Sequence, residues 1–359
     1  MAAFRETREA LLTAFGQNVI SEEEFALLYD INSSKNPDFP YWKHAQFDLD
    51  SMTDAECFSE FRFYRNDVYR LMEVLRIPEE ILCYNRSRFD GLESFCVFLK
   101  RFAYPSRYSD MIPKFGRPVP ELCLMSNYIM DNIYANHHQL LESFNQAWLS
   151  PNQLEIYAAS IHEKGAPLDF CWGFVDGTVR PVCRPGENQR VLYNGHKKVH
   201  CIKFQSVVAP NGLIANLYGP VEGCRHDSAM LAMSNLYNLL VQHSVRQNGD
   251  PLCIYGDTAY PLRVQLQAPY PNHNVLNGAQ KEFNTAMSKV RTSVEWIFGE
   301  IIRYFTFLDF KKNLKVQLSA VGKMYKVCAL LTNAHTCLYK NVASNYFEIE
   351  PPLIEEYFV

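Results

Sequence analysis

The stretch Phe170-Cys171-Trp172-Gly173-Phe174-Val175-Asp176-Gly177 is an apolar run of strand length that stops on an acid and a glycine. A second run of the same kind, Leu252-Cys253-Ile254-Tyr255-Gly256, stops on Asp257. Short apolar runs ended by turn residues fit the central strands of a sheet. Between them Val199 to Val208 alternates, with Ile202 and Phe204 on one side and Lys203 and Gln205 on the other. Pro210-Asn211-Gly212 is a strong turn signal, and Leu213 to Tyr218 reads as the returning strand of a hairpin. A helix is expected from Asp227 to about His243. Another is expected from about Phe283 to Phe305, with Val290, Val294, Ile297, Ile301 and Phe305 as its apolar stripe. Strand, hairpin, helix, strand, helix describes an α/β unit with a mixed sheet over residues 166–340.

Upstream, residues 56–165 have helical periodicity. Phe58, Phe61, Val68, Leu71, Met72 and Leu75 recur at three- and four-residue intervals before Pro78. Leu92 to Tyr104, Ser106 to Phe115 and Val119 to Tyr134 then read as helix, short helix, helix, separated by Pro105 and Gly116-Arg117-Pro118. This order suggests a helix-turn-helix, and a plain three-helix packing unit gives the same pattern. The last helix carries two acids and no Lys or Arg from Pro120 to Tyr134.

With 359 residues, 48% hydrophobic and 21% charged, the chain has the composition of an ordinary globular protein. No apolar run approaches the roughly 18 to 20 residues that span a bilayer, and no signal-peptide core opens the chain. Neither membrane insertion nor secretion is expected. Eleven dispersed cysteines without a CxxC pair read as buried thiols of a reducing compartment rather than disulfides or a zinc site. The net charge of −4 conceals an asymmetry. Residues 1–60 hold 4 Lys or Arg against 12 Asp or Glu, so residues 1–55 form an acidic N-terminal segment. Residues 341–359 form an acidic C-terminal tail with four glutamates and no base. The body between them is moderately basic, which suits contact with an anionic polymer.

Asp176 and Asp257 end apolar strands, where open α/β sheets place their chemistry, and Gly177 and Gly256 flank them. Glu295 lies beside the apolar stripe of the last helix, where it could face the sheet. Asp227 opens a helix in Gly223-Cys224-Arg225-His226-Asp227-Ser228, where it also suits an N-cap. Converging carboxylates without sulfur or imidazole partners make an oxygen-only site suited to Mg²⁺ or Mn²⁺. Such ions support in-line phosphoryl displacement. No P-loop, GxGxxG or serine-triad order appears.

The blocks Phe174-Val175-Asp176-Gly177-Thr178, Gly223 to Ser228, Gly256-Asp257-Thr258-Ala259-Tyr260-Pro261 and Arg291-Thr292-Ser293-Val294-Glu295-Trp296-Ile297-Phe298-Gly299 stand in this order, with 38 positions from Asp257 to Glu295. They resemble the four blocks of PIF/Harbinger-type DDE transposases and their domesticated nucleases over about residues 168 to 335. The resemblance implies an RNase H-like fold and a DDE triad of Asp176, Asp257 and Glu295, with Asp227 as an additional metal-associated aspartate. It implies a divalent-metal-dependent DNA endonuclease. A catalytically silent domesticated copy, acting as a DNA- or protein-binding adaptor, is the competing reading. It further implies nuclear residence, with the cytoplasm also open, and a Myb-like (SANT/trihelix) partner for DNA recognition and nuclear entry. No basic run of five to eight residues offers an import signal of its own. Homo-oligomer formation is left open.

Two basic clusters flank the acids. Arg180, Arg184, Arg190, Lys197, Lys198 and Lys203 oppose only Glu187, and nine bases oppose four acids from Lys281 to Lys326. Both are expected to neutralise backbone phosphates around a scissile bond.

Overall fold

The computed structural model describes residues 2–31, 39–271 and 276–359. Two compact units divide the chain, Met1–Lys43 and His44–Val359. The first contains α1 (Ala2–Gly16) and α2 (Glu22–Ile31). Ser21 starts α2 by accepting the Glu24 N–H at 3.2 Å, while the Glu24 carboxylate accepts the Ser21 N–H at 2.9 Å. Phe15 stacks on Phe25 with ring centroids 4.6 Å apart, closing the helix pair. Residues 32–38, part of the expected acidic segment, lie outside the described residues.

The second unit begins with helices. These are α3 (Asp54–Phe61), α4 (Arg65–Val74), an antiparallel ribbon of β1 (Glu80–Leu82) and β2 (Arg88–Asp90), α5 (Gly91–Ala103), α6 (Tyr108–Phe115), α7 (Val119–His137) and α8 (Pro151–Glu163). Their starts follow local chemistry. Thr53 and Glu56 form a capping box on α3, and the Asp90 carboxylate accepts the Glu93 N–H at 2.7 Å on α5. The expected order helix, short helix, helix is present in α5 to α7, a helix-turn-helix-like arrangement.

Then follow β3 (Cys171–Pro181), α9 (Gln189–Leu192), β4 (Tyr193–Asn194), β5 (Val199–Val208), β6 (Ile214–Glu222), α10 (Asp227–Met233), α11 (Leu236–His243), β7 (Cys253–Tyr255) and β8 (Leu266–Gln267). The chain ends in α12 (Gly278–Arg291), α13 (Ser293–Tyr304), α14 (Val321–Tyr339), α15 (Val342–Phe347) and α16 (Ile354–Tyr357). The main sheet runs β6-β5-β3-β7-β8, with β4 also on β5. β3, β5 and β6 are antiparallel neighbours, whereas β7 and β8 join in parallel. This mixed sheet flanked by helices, after an N-terminal helical region, is an RNase H-like architecture.

Several expectations are corrected. The helix expected from Asp227 to His243 is two helices, because Asn235 sits at φ +54°, a left-handed conformation asparagine tolerates and a helix interior does not. The helix expected from Phe283 begins earlier, at Gly278, where Asn277 and Gln280 form a capping box. It also breaks at Thr292, where the Thr292 and Ser293 hydroxyls donate to the Ser288 and Val290 carbonyls. In the expected stripe Val290, Ile297, Ile301 and Phe305 are buried, and the side chain of Val294 lies outside the described residues. The sequence reading stopped at Phe305 and missed α14. Every residue of α14 from Tyr325 to Thr336 is buried, and a helix buried all round has no apolar stripe to announce it.

α14 ties the unit together. Asn333 accepts the Ile214 N–H at 2.9 Å and donates to the Ile214 carbonyl at 3.0 Å, so its amide completes the backbone pairing of β6. The same amide donates to the Tyr357 hydroxyl at 2.7 Å. The acidic C-terminal stretch is thereby packed, with Ile354, Tyr357 and Phe358 buried while Glu348, Glu350, Glu355 and Glu356 stay at the surface.

Candidate active site at the ends of two parallel strands

β3 and β7 pair in parallel with Phe174 opposite Tyr255. Two residues further along each chain stand Asp176 and Asp257, so the register sets the two acids level. β7 ends at Tyr255, whereas β3 continues alongside β5, so Asp176 stands where the neighbouring strand departs. Asp257 is fixed by its own turn, its Oδ1 accepting the Ala259 N–H at 2.9 Å.

Asp176 is largely buried. One carboxylate oxygen accepts the Gly177 N–H at 2.8 Å, and the other accepts Arg291 Nη1 at 3.1 Å. Burial pushes its pKa above the ordinary aspartate value, and the charge of Asp257 pushes the same way. The Arg291 guanidinium and the Gly177 N–H only partly offset them. Arg291 ends α12 and also approaches Glu295 Oε1 at 3.7 Å, linking two of the expected triad. Glu295 stands in the first turn of α13 with its side chain 60% exposed.

Asp227 has a different setting. His226, not Asp227, is the N-cap of α10, and the Asp227 carboxylate pairs with the Lys203 ammonium. Lys203 also donates to the Arg225 carbonyl at 2.9 Å. A Cβ on Gly177 would meet the Asp227 carboxylate at 3.1 Å. Successive strand residues face opposite ways, so Asp227 lies on the face of β3 opposite to Asp176. Among the described residues, no three His, Cys, Asp or Glu side chains form a group able to hold a metal ion.

With this geometry in place the comparisons are informative. Residues 175–333 match the family model described as DDE superfamily endonuclease. A DDE-type domain is thus matched over part of the chain, consistent with a DDE transposase-derived protein. No curated protein and no solved structure matches it significantly. The match starts on Val175, immediately before Asp176, and ends on Asn333, so it spans all four acids.

Beside Asp257 the DDE domain opens a cleft of about 680 Å³, lined by Asp257, Thr258, Tyr270, Asn284, Ser288, Lys289 and Arg291 among others. Asn284 shapes it by accepting the Tyr270 N–H at 2.8 Å and donating to the Tyr270 carbonyl at 2.9 Å. The cleft therefore meets one acid with two cations from the last turn and a half of α12.

The sequence reading missed Lys203 as a site residue. It placed Lys203 and Gln205 on one face of β5 and counted Lys203 among cations for phosphate, yet Lys203 is 6% exposed and Gln205 0%. The Gln205 amide donates to the buried Tyr260 hydroxyl at 3.1 Å, and the Tyr260 ring fills the space that the missing side chain of Gly256 leaves open. Gly177 and Gly256 thus make room for Asp227 and Tyr260 rather than for an ion. A lysine alternating with glutamine looks the same in sequence whether solvent or a helix covers that face.

Proposed function

We propose that the DDE domain is a divalent-metal-dependent DNA endonuclease whose metal-binding core is Asp176 and Asp257, with Glu295 as third ligand and Asp227 as supporting acid. The observation that carries this reading is that Asp176, within β3, and Asp257, just past the end of the parallel β7, each follow the paired Phe174 and Tyr255 by two residues, inside the matched region and beside a cationic cleft. The donor set fits Mg²⁺ or Mn²⁺ because the acids offer only oxygen, and the Asp176 carboxylate, its pKa raised chiefly by burial and further by Asp257, would be favoured in its charged form by a cation. A bound divalent ion supplies Lewis-acid stabilisation of the phosphodiester oxygens.

The chain's own residues do the positioning. Arg291 holds Asp176 and approaches Glu295, so one guanidinium orients two of the carboxylates that would hold the ion. Lys203 fixes Asp227 behind the strand and keeps α10 registered against β5. Lys289 and Arg291 neutralise phosphate in the cleft. Sequence recognition falls to a Myb-like partner, because α7 buries its apolar face against the rest of the helical region and presents no Lys or Arg. Nuclear accumulation of this chain expressed alone would remove that partner from the proposal.

The deciding experiment is Mn²⁺-dependent cleavage of a labelled duplex by wild type and by Asp257→Asn. Loss of cleavage with DNA binding retained is expected; equal cleavage by the variant overturns the nuclease. The ion pair of Arg291 with Asp176 favours one second reading, a silent adaptor. Wild type that binds duplex but cleaves nothing in Mn²⁺ would establish it.

A further inference from the structure

The two basic clusters flanking the acids in sequence do not act as written. Lys203 is spent on Asp227, and the Arg180 guanidinium is buried, donating to the Thr178 hydroxyl at 2.8 Å and lying 5.1 Å from the Tyr325 ring centre. What remains is drawn together. The Cys183 N–H donates to the Leu314 carbonyl at 2.9 Å, joining the segment after β3 to the segment after α13. Between them lies a groove of about 260 Å³ whose charged lining is Arg184, Lys198, Lys311 and Lys312, with no Asp or Glu. All four are exposed, and none forms an ion pair among the described residues. Arg184 uses only Nε, which donates to Gln189 at 3.0 Å, leaving its terminal nitrogens available.

We propose that this groove grips the phosphodiester backbone of the DNA duplex on one side of the scissile bond, an assignment that rests on the nuclease reading above. Four free cations in a space too small for a base pair suit phosphate and sugar rather than base edges. The placement is set by β3, which carries the chain from Asp176 to Pro181, a lining residue of the groove. Five residues of strand span about 17 Å, so the groove begins about that far from Asp176 along β3.

The test measures anisotropy of a fluorescein-labelled 30-base-pair duplex without divalent metal, from 50 to 300 mM KCl. It compares wild type, the variant R184Q/K198Q/K311Q/K312Q and the charge-keeping variant K198R/K311R/K312R. Removing four phosphate contacts should reduce the slope of log affinity against log salt by about 3 to 4, with the charge-keeping variant near wild type. Should the fourfold variant fold poorly by circular dichroism, Lys311→Gln and Lys312→Gln singly should each lower the slope by about 0.9. An unchanged slope and affinity in the glutamine variants overturns the groove and leaves the nuclease standing, provided wild type binds and cuts. No duplex binding by wild type overturns both. Loss of binding only to phosphatidylserine vesicles, with duplex binding unaltered, assigns the groove to lipid and also overturns the proposal.

Discussion

Asp176 and Asp227 are acids on opposite faces of one strand, separated by the thickness of Gly177, and they are neutralised in different ways. Asp227 has a buried lysine, Lys203, that has no other carboxylate to serve. Asp176 shares one arginine with Glu295 and feels a second acid, Asp257, at the end of the next strand. The first arrangement is complete as it stands and holds α10 to the sheet. The second leaves the Asp176 carboxylate partly desolvated and beside another acid, with one arginine shared between it and Glu295.

The sharpest way to break this comparison is to remove each charge in turn. Asp176→Asn should lower Mn²⁺-dependent cleavage at least about 100-fold, since outer partners of metal ligands alone are worth 10- to 100-fold. It should do so without lowering the urea midpoint, because the amide removes a buried charge that is incompletely paired. A loss of stability equal to that of an Asp227 variant would show that the two faces do not differ. On the other face, Lys203→Met should destabilise by about 3 kcal/mol, measured by urea unfolding, because Asp227 is then left without its cation. Lys203→Met with Asp227→Asn should recover part of that loss.

Protonation separates the faces from the core. His335 on α14 lies among Phe58, Phe63, Tyr304 and Tyr339, with neither ring nitrogen hydrogen-bonded, and burial pushes its pKa down to about 3. The unfolded chain takes up that proton near pH 6.5, so between about pH 6.5 and 3 the unfolded state binds more protons. Stability should therefore fall as pH falls through that window, by up to about 1.4 kcal/mol per pH unit. His335→Phe should flatten this limb. The raised pKa of Asp176 has the opposite sign: its contribution is fully present below pH 3.8 and is lost as pH rises through the folded-state value. Asp176→Asn should remove that opposing contribution, seen as a larger fall of the unfolding midpoint from pH 6 to pH 3.5. The smallest effect expected is Gly177→Ala, whose methyl group would press on the Asp227 carboxylate. It should cost about 1 kcal/mol in urea unfolding and leave Mn²⁺-dependent cleavage within a few-fold of wild type.

Much of the nuclease half was legible because its strands are short, apolar and punctuated. Phe170 to Val175 and Leu252 to Tyr255 announced β3 and β7, and Pro210-Asn211-Gly212 announced the hairpin of β5 and β6. Asp176 and Asp257 were visible because they close apolar runs, although β3 continues past Asp176 to Pro181 and only Asp257 follows a strand end. The exposure of Glu295 was not legible, because helical spacing tells which residues share a face, not whether a residue at the edge of that face is covered. The same blindness hid Lys203 and Gln205, whose alternation fitted a solvated face until α10 and Tyr260 closed over it. Asn235 and Thr292 broke helices through one left-handed residue and one pair of hydroxyls, signals too local to interrupt an apolar period.

By itself the sequence determined the strands, their hairpin, the helical half before them, and the order and spacing of the acids, because these follow from short-range periodicity and turn chemistry. Only the tertiary structure decided which charges are already neutralised. It sent Lys203 to Asp227 and Arg291 to Asp176, and it gathered Arg184, Lys198, Lys311 and Lys312 into one groove. The physical reason is that the field at a carboxylate depends on burial and on charges within a few ångströms, and those neighbours come from segments tens to more than a hundred residues away in the chain.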